Sequence, residues 1–173
     1  SGQLTLLIEC DLRRPSLAGR LGIERSPGLS DYLGGNATPA EVLQTVRLRP
    51  DQQEGGPTLV CIAAGTPVAR PAELLESQRM RDLLAEVRDA YDLVILDTSP
   101  VLPVVDTLRL IPAVDALAVC VRSNETTREQ ARALIDALSN LPARPTGTVI
   151  TGIRPENEET YTYYSYAYVG AGK

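Results

Sequence analysis

Three acidic residues follow apolar segments in a pattern that suits phosphate chemistry. Glu9 and Asp11 come directly after an apolar run at residues 4–8, and Asp97 ends a second run at 93–96. If these runs are parallel strands, their carboxyl ends meet at one edge of a sheet, where such sheets bind ligands. Carboxylates there could hold the Mg²⁺ of a nucleotide or accept a proton from an attacking hydroxyl. They could equally cap helices or lie in solvated loops, and the spacing leaves both interpretations open.

Two arginines add positive charge to the first of these segments. Arg13 and Arg14 follow Asp11 almost at once. A guanidinium at this place could clamp a phosphate or pair with the neighbouring acids. A surface ion pair of little energetic value is the other interpretation.

Several classes of site are excluded or disfavoured by composition. The chain has no His, which excludes triads with a His base and His-ligated zinc sites. Its only Lys is Lys173, so it contains no G-x-x-x-x-G-K-[ST] loop. The net charge of −5, without a basic block, argues against nucleic acid as a partner. No run approaches the roughly 20 apolar residues of a membrane helix, and no signal peptide is recognisable at the start.

The elements that must position these acids form a regular alternation. Near-continuous apolar runs are typical of strands buried on both faces, and helical segments between them predict a three-layer, parallel α/β sheet. Helix starts are predicted at Thr38 with Glu41, at Ser77, and at Thr126 with Glu129. A polar surface loop is predicted over residues 49–57. The predicted strands span residues 4–8, 59–63, 93–96, 116–121 and 148–153.

The three cysteines, Cys10, Cys61 and Cys120, lie inside apolar runs. Their number is odd and their spacing fits no metal motif. We therefore expect buried, reduced thiols, as in a cytoplasmic protein.

The character of the chain changes near residue 156. Residues 1–155 are predicted to form one domain, and residues 156–173 a flexible tail without hydrophobic periodicity. Five of the seven tyrosines fall in this tail: Tyr161, Tyr163, Tyr164, Tyr166 and Tyr168.

Together these segments resemble the bacterial tyrosine autokinases of capsule and exopolysaccharide systems, which are P-loop NTPases. Residues 6–15 resemble the second Walker motif of that family, called A-prime, and residues 91–103 resemble its Walker B region. Residues 28–33 and 65–75 are similar to the stretches between them. Partition-type and flagellar-type ATPases share the Walker B pattern, whereas the tyrosine-rich tail is typical of the kinases.

The resemblance implies a function and a set of roles. Asp11 and Asp97 would hold Mg²⁺, Glu9 would stand where the family has an activating Asp, and Arg13 and Thr151 would contact the nucleotide, ATP. The five tail tyrosines would be phosphorylated between the subunits of a homo-oligomeric ring. The implied partners are a transmembrane polysaccharide co-polymerase or activator domain, fused or separate, and a cognate tyrosine phosphatase. The implied location is the cytoplasmic face of the plasma membrane.

Some residues depart from the family pattern. Glu9 is one methylene longer than the usual Asp, Ser99 replaces a Pro, and Thr151 stands where an Asn is common. The Walker A strand and helix are missing, so these 173 residues alone are expected to be inactive, either as a piece of a longer polypeptide or as a degenerate relative. The alternatives are a pseudokinase whose tail another kinase phosphorylates, or a partition-type ATPase. Loss of the P-loop strand is expected to leave inner strand edges exposed.

Overall fold

The structure is a computed structural model that describes residues 2–48, 56–102, 105–139 and 145–153. It is an α/β fold with a mostly parallel sheet, which confirms the predicted fold class. The chain divides into two compact units, Ser1–Val114 and Asp115–Lys173. The predicted boundary at residue 156 and the tyrosine tail lie outside the described residues, as does most of the predicted loop at 49–57.

The described part of the first unit holds a four-stranded sheet, formed by β1 (Thr5–Glu9), β2 (Gln44–Arg47), β3 (Thr58–Ile62) and β4 (Leu93–Asp97). The strand order is β2-β3-β1-β4. Strand β1 is parallel to both β3 and β4, and Glu9 is paired with Asp97 in the β1–β4 register. Strand β2, which the sequence analysis did not predict, lies at one edge of this sheet and is antiparallel to β3.

Within the ranges that the structure describes, five short or medium helices accompany this sheet. They are α1 (Leu17–Leu21), α2 (Leu29–Leu33), α3 (Pro39–Val42), α4 (Pro71–Leu75) and α5 (Gln78–Ala90), with 3-10 turns at Val105–Arg109 and Ile111–Ala113. Helix α3 has the predicted capping box of Thr38 and Glu41, and α5 starts at the predicted Ser77, whose hydroxyl accepts from Met80 N.

The core of the first unit lies between the sheet and the apolar faces of its helices. Leu6 and Ile8 of β1 are fully buried, and Met80, Leu83 and Val87 of α5 line up on one buried face. Burying each such side chain contributes about 1.5–3 kcal/mol, so this face anchors α5. Among the described strands β4 has a neighbour on one side only, and its Leu93 and Ile95 are 44% and 43% exposed.

The second unit contains β5 (Ala118–Arg122), α6 (Arg128–Ser139) and β6 (Gly147–Thr151). Strands β5 and β6 are parallel and form a separate two-stranded sheet. The predicted cap of α6 was wrong by one residue, because Thr127 and Gln130 exchange the capping hydrogen bonds. The hydroxyl of Thr126 instead accepts from Arg122 N.

The cysteine prediction was correct for two of the three thiols. All three are free, and Cys10 and Cys61 are buried in the first unit. Burial, helped by the charges of Asp97 and Glu9, raises the pKa of Cys10 far above its usual value, so this thiol is inert. Cys120 is exposed, because alternate residues of β5 face away from the buried side.

Candidate active site

The candidate site lies at the carboxyl ends of β1 and β4. These two strands are adjacent and parallel, and the Cys10 amide donates to the Asp97 carbonyl at 2.7 Å, which continues their pairing to the last residue. Glu9, Asp11 and Asp97 therefore leave the sheet at the same edge, as the sequence predicted. Ligands of open parallel sheets bind at this edge.

The Asp11 carboxylate is oriented by three donors. Its Oδ1 accepts from the amides of Arg13 at 3.2 Å and Arg14 at 3.0 Å, and from the Ser99 hydroxyl at 2.7 Å. Ser99 itself is 4% exposed and follows β4 by two residues. The carboxylate is thus held between the loop after β1 and the loop after β4.

Arg13 forms an ion pair that the sequence did not identify. Its Nε and Nη2 donate to the two carboxylate oxygens of Asp106, at 2.6 and 3.2 Å. Asp106 is 2% exposed, whereas nearly half of the Arg13 side chain remains accessible. The hydrogen bond and charge of Asp106 raise the pKa of Arg13 further. Of the two interpretations of Arg13, the described contacts show pairing with an acid, and its role toward a nucleotide stays a prediction.

Glu9 is held by backbone amides from two distant parts of the chain. Its Oε1 accepts from Ser16 N at 2.5 Å and Leu17 N at 2.7 Å, where α1 begins, and its Oε2 accepts from Ala64 N at 3.0 Å. The residue is 1% exposed. These contacts favour a role in joining α1 to the turn after β3 over a role as a base, which stays a prediction.

The acidic charges near Asp97 are ones that a bound cation would offset. Burial, then the charges of Glu9 and Asp11, raise the pKa of Asp97, and the positive charge of Arg20 offsets part of this. Three carboxylates around the ends of two strands repel one another when ionised.

The donor set fits Mg²⁺. Two carboxylates, Asp11 and Asp97, are available from adjacent strand ends, and Mg²⁺ takes one or two carboxylates with waters and phosphate oxygens. In the described ranges no three His, Cys, Asp or Glu side chains cluster as an all-protein metal site. The predicted roles of Asp11 and Asp97 as metal ligands therefore stay predictions that the local charge supports.

The turn after β3 is fixed by a second acid. Asp31 Oδ2 accepts from Gly28 N at 2.8 Å, Thr66 N at 3.0 Å and the Ser26 hydroxyl at 3.0 Å. Burial alone would raise the pKa of Asp31, but the hydrogen bonds from Thr66, Gly28 and Ser26 together lower it. Asp31 thus ties α2 to the turn whose Ala64 amide also contacts Glu9.

Replacing Asp31 with Ala is expected to lower the free energy of unfolding by about 2 kcal/mol at neutral pH, because three donors lose a charged acceptor. A lowered folded-state pKa adds stability above the unfolded pKa, and this is lost as pH falls through the folded value. The difference between wild type and variant should therefore shrink below about pH 4. Urea unfolding at several pH values measures it, with the exposed Asp82→Ala as control; a difference that does not change with pH would contradict the assignment.

Two sets of predicted site residues lie outside the described residues of the first unit. Thr151 ends β6 in the second unit, where its carbonyl accepts from Ser123 N at 2.8 Å, and its contact with a nucleotide stays a prediction. The five tail tyrosines lie outside the described residues.

Asp106 and Thr107 near the site were missed, and Ser99 was noted only as a departure from the family pattern. All are buried polar residues, and the Thr107 hydroxyl donates to the Ser99 carbonyl at 2.7 Å. One feature of the sequence could have indicated Asp106 and Thr107: they are an isolated polar pair inside the apolar stretch after Asp97. An acid among apolar residues needs a hydrogen-bonding or charged partner when it is buried.

Comparison with known proteins identifies relatives over most of the chain. No family model matches it. The tyrosine-protein kinase YwqD of Bacillus subtilis is 30% identical over 163 residues, which are 94% of this chain and 65% of YwqD. The crystal structure of the VpsO kinase domain is 31% identical with a TM-score of 0.76, and the match covers 88% of this chain and 72% of that one.

A more distant likeness concerns the fold alone. The septum site-determining protein MinD from Pyrococcus horikoshii, complexed with Mg-ADP, has a TM-score of 0.63 at 14% identity, with 92% of this chain and 65% of MinD covered. This supports a P-loop NTPase type of fold.

The relatives are longer than this chain. It spans just under two thirds of YwqD and 22% of two other curated tyrosine-protein kinases. Among the helices of the described ranges, none has the length and apolarity that crossing a membrane requires. The chain has carboxylates at adjacent strand ends, a P-loop NTPase type of fold and a clear likeness to the VpsO kinase domain. These observations point to the same conclusion: the chain belongs to the family of bacterial tyrosine-protein kinases.

Proposed function

We propose that the chain is the greater part of an ATP-dependent protein-tyrosine autokinase that phosphorylates its own tail between subunits. The observation that supports this most is the placement of Asp11 and Asp97 at adjacent carboxyl ends in a member of this family. The proposal needs a Walker A segment from outside these 173 residues, because the chain has no Lys before Lys173.

The roles of the described residues follow from their positions. Bound Mg²⁺ would neutralise the phosphate charge that develops as the γ-phosphoryl group moves to a tyrosine oxygen and ADP departs. Asp11 and Asp97 would supply the carboxylates that orient the ion. Arg13, half exposed beside Asp11, would add positive charge at the same edge.

Tail phosphorylation would act as a switch on assembly. Each phosphotyrosine adds roughly −1.5 to −2 charge, and five would add about −8 to −10 to a chain already at −5. Subunits in a ring would then repel one another, and salt would weaken the effect. In this proposal the kinase controls capsule or exopolysaccharide polymerisation at the cytoplasmic face of the membrane, with a transmembrane activator domain and an opposing phosphatase.

The test uses the polypeptide as the cell makes it, incubated with Mg²⁺, ATP and an activator fragment. Digestion after Glu159 releases residues 160–173 for mass spectrometry. We expect phosphate on the wild-type tail and none with Asp97→Ala, while Asp82→Ala on the exposed face of α5 behaves as wild type. Asp97→Ala should fold at least as stably, because it removes carboxylate repulsion. An unmodified wild-type tail with activator bound would overturn the proposal.

A second candidate is a pseudokinase that offers its tyrosines to another kinase. The burial of Glu9 behind three backbone donors favours this alternative, because these hydrogen bonds occupy the carboxylate that stands where the family has its activating Asp. It predicts tail phosphate only when an active relative is added, and unchanged by Asp97→Ala.

A further inference from the structure

A continuous polar network joins the Asp11 carboxylate to the segment that follows β4. The Ser99 hydroxyl donates to Asp11 Oδ1, and the Ser99 carbonyl accepts from the Thr107 hydroxyl, both at 2.7 Å. Next to Thr107, Asp106 takes both described hydrogen bonds of the Arg13 guanidinium. The Arg13 amide returns to Asp11 Oδ1, which closes the circuit.

The network is buried on one side and open on the other. Ser99, Asp106 and Thr107 are 4%, 2% and 5% exposed, whereas Asp11 is only half-buried. Buried hydrogen-bonded groups have few alternative partners, so they fix the geometry of the group they hold. Asp11 and Arg13, whose side chain is 47% exposed, are the partly open members of the circuit.

Ser99 occupies a key place in this circuit. It follows β4 by two residues, and its hydroxyl is the donor that links the loop after β4 to the carboxylate after β1. A residue without a side-chain donor would leave Asp11 with the two backbone amides of its own loop. The orientation of Asp11 relative to Asp97 would then depend on that loop alone.

We infer that Ser99 and Asp106 are positioning residues for Asp11, which set its carboxylate to share one divalent cation with Asp97. The inference rests on the proposed function for the identity of the cation site, and it adds the residues that determine its affinity. Outer partners of metal-binding carboxylates change metal affinity by roughly 10- to 100-fold when they are removed. The competing explanation is that the network only stabilises the loops.

The experiment measures Mn²⁺ binding by electron paramagnetic resonance in the presence of ADP, with the polypeptide as the cell makes it. Ser99→Ala and Asp106→Asn are each expected to weaken Mn²⁺ binding by roughly 10-fold or more. Because both act on one carboxylate, the double variant should lose less than the product of the two effects. The matched controls are Ser139→Ala and Asp82→Asn, which replace exposed residues on α6 and α5 and should bind as wild type.

Urea unfolding of the same variants separates positioning from loop stability. Weaker Mn²⁺ binding in variants that remain folded at the assay temperature supports the inference. Unchanged Mn²⁺ affinity with a lowered unfolding midpoint overturns it, as does a wild type that binds no Mn²⁺ or an equal loss in the controls. Failure of the proposed function would look different: Mn²⁺ binding would respond as expected while the wild-type tail stayed unmodified.

Discussion

Replacing Glu9 with Ala is expected to lower the free energy of unfolding by about 4 kcal/mol, because two buried backbone donors and one partly buried donor lose their acceptor at once. Each of these amides, from Ser16, Leu17 and Ala64, finds its described partner in the Glu9 carboxylate. Leaving a buried donor unpaired costs about 1–3 kcal/mol. The loss is therefore expected to be much larger than for a surface carboxylate.

The position of Glu9 explains why the effect extends beyond one residue. It ends β1, and its carboxylate joins the start of α1 to the turn after β3. Without this carboxylate, the start of α1 and the turn after β3 would lose the side chain that links them. A Gln at this position keeps one acceptor oxygen, but its NH₂ group would face a backbone N–H that also needs an acceptor. Glu9→Gln should therefore also lower the free energy of unfolding, by about 2 kcal/mol.

Urea unfolding of wild type, Glu9→Ala, Glu9→Gln and the exposed control Glu73→Ala measures this prediction. The control should stay within about 0.5 kcal/mol of wild type. A Glu9→Gln variant as stable as wild type but without tail phosphorylation would contradict the structural role and support the role of Glu9 as a base. Loss of stability with some retained phosphorylation would assign Glu9 to the fold.

The strand framework of the protein was predictable because buried parallel strands leave a strong signal. The apolar runs at residues 4–8, 59–63 and 93–96 each overlap an observed strand within one residue at either end, and the acids that follow the first and third runs meet at one edge. Strand β2 was missed because it carries no apolar run. Only Gln44 and Val46 of Gln44–Arg47 are partly buried, and the strand lies at the edge of the sheet.

The supporting residues of the site were less predictable than the acids. A hydrophobic strand ending in Asp indicates where Asp97 lies, but the partner of Arg13 is 93 positions away in the chain. Pairs this distant are brought together by the topology and carry no local pattern. Glu9 was difficult to interpret for the same reason. Its residue type suggested a catalytic role, whereas its described contacts are hydrogen bonds from backbone amides of Ser16, Leu17 and Ala64, which are not its neighbours in the chain.

Replacing Gly28 with Ala is expected to lower the free energy of unfolding by about 3 kcal/mol, at the upper end of overpacking effects. A Cβ at Gly28 would lie within 2.4 Å of both the Ala63 carbonyl oxygen and the Gly65 nitrogen. These are backbone atoms and cannot rotate away. The φ of −147° at Gly28 is available to any residue, so the effect arises from the close approach alone.

The close approach matters because it docks α2 on the turn that also contacts Glu9. Leu29 N donates to Ala63 O at 2.7 Å, and Ser30 N donates to Ala64 O at 2.9 Å. The amide of the same Ala64 donates to the Glu9 carboxylate. A Cβ at Gly28 would push the turn away from α2 and disturb these bonds together. The expected loss should therefore be partly shared with Glu9→Ala, so that the double variant loses less than the sum.

Gly19→Ala is the matched control, because a Cβ there meets nothing within 4 Å and Gly19 lies inside α1. It should raise the free energy of unfolding by about 0.5–1 kcal/mol, since Ala is the better helix former. Urea unfolding of both variants decides the matter. If Gly28→Ala were as stable as wild type, the turn at residues 63–66 would have room to move, and the backbone amide of Ala64 would not be a fixed anchor for Glu9. A selective loss at Gly28 would show that α2, this turn and β1 pack as one rigid support beneath Asp11 and Asp97.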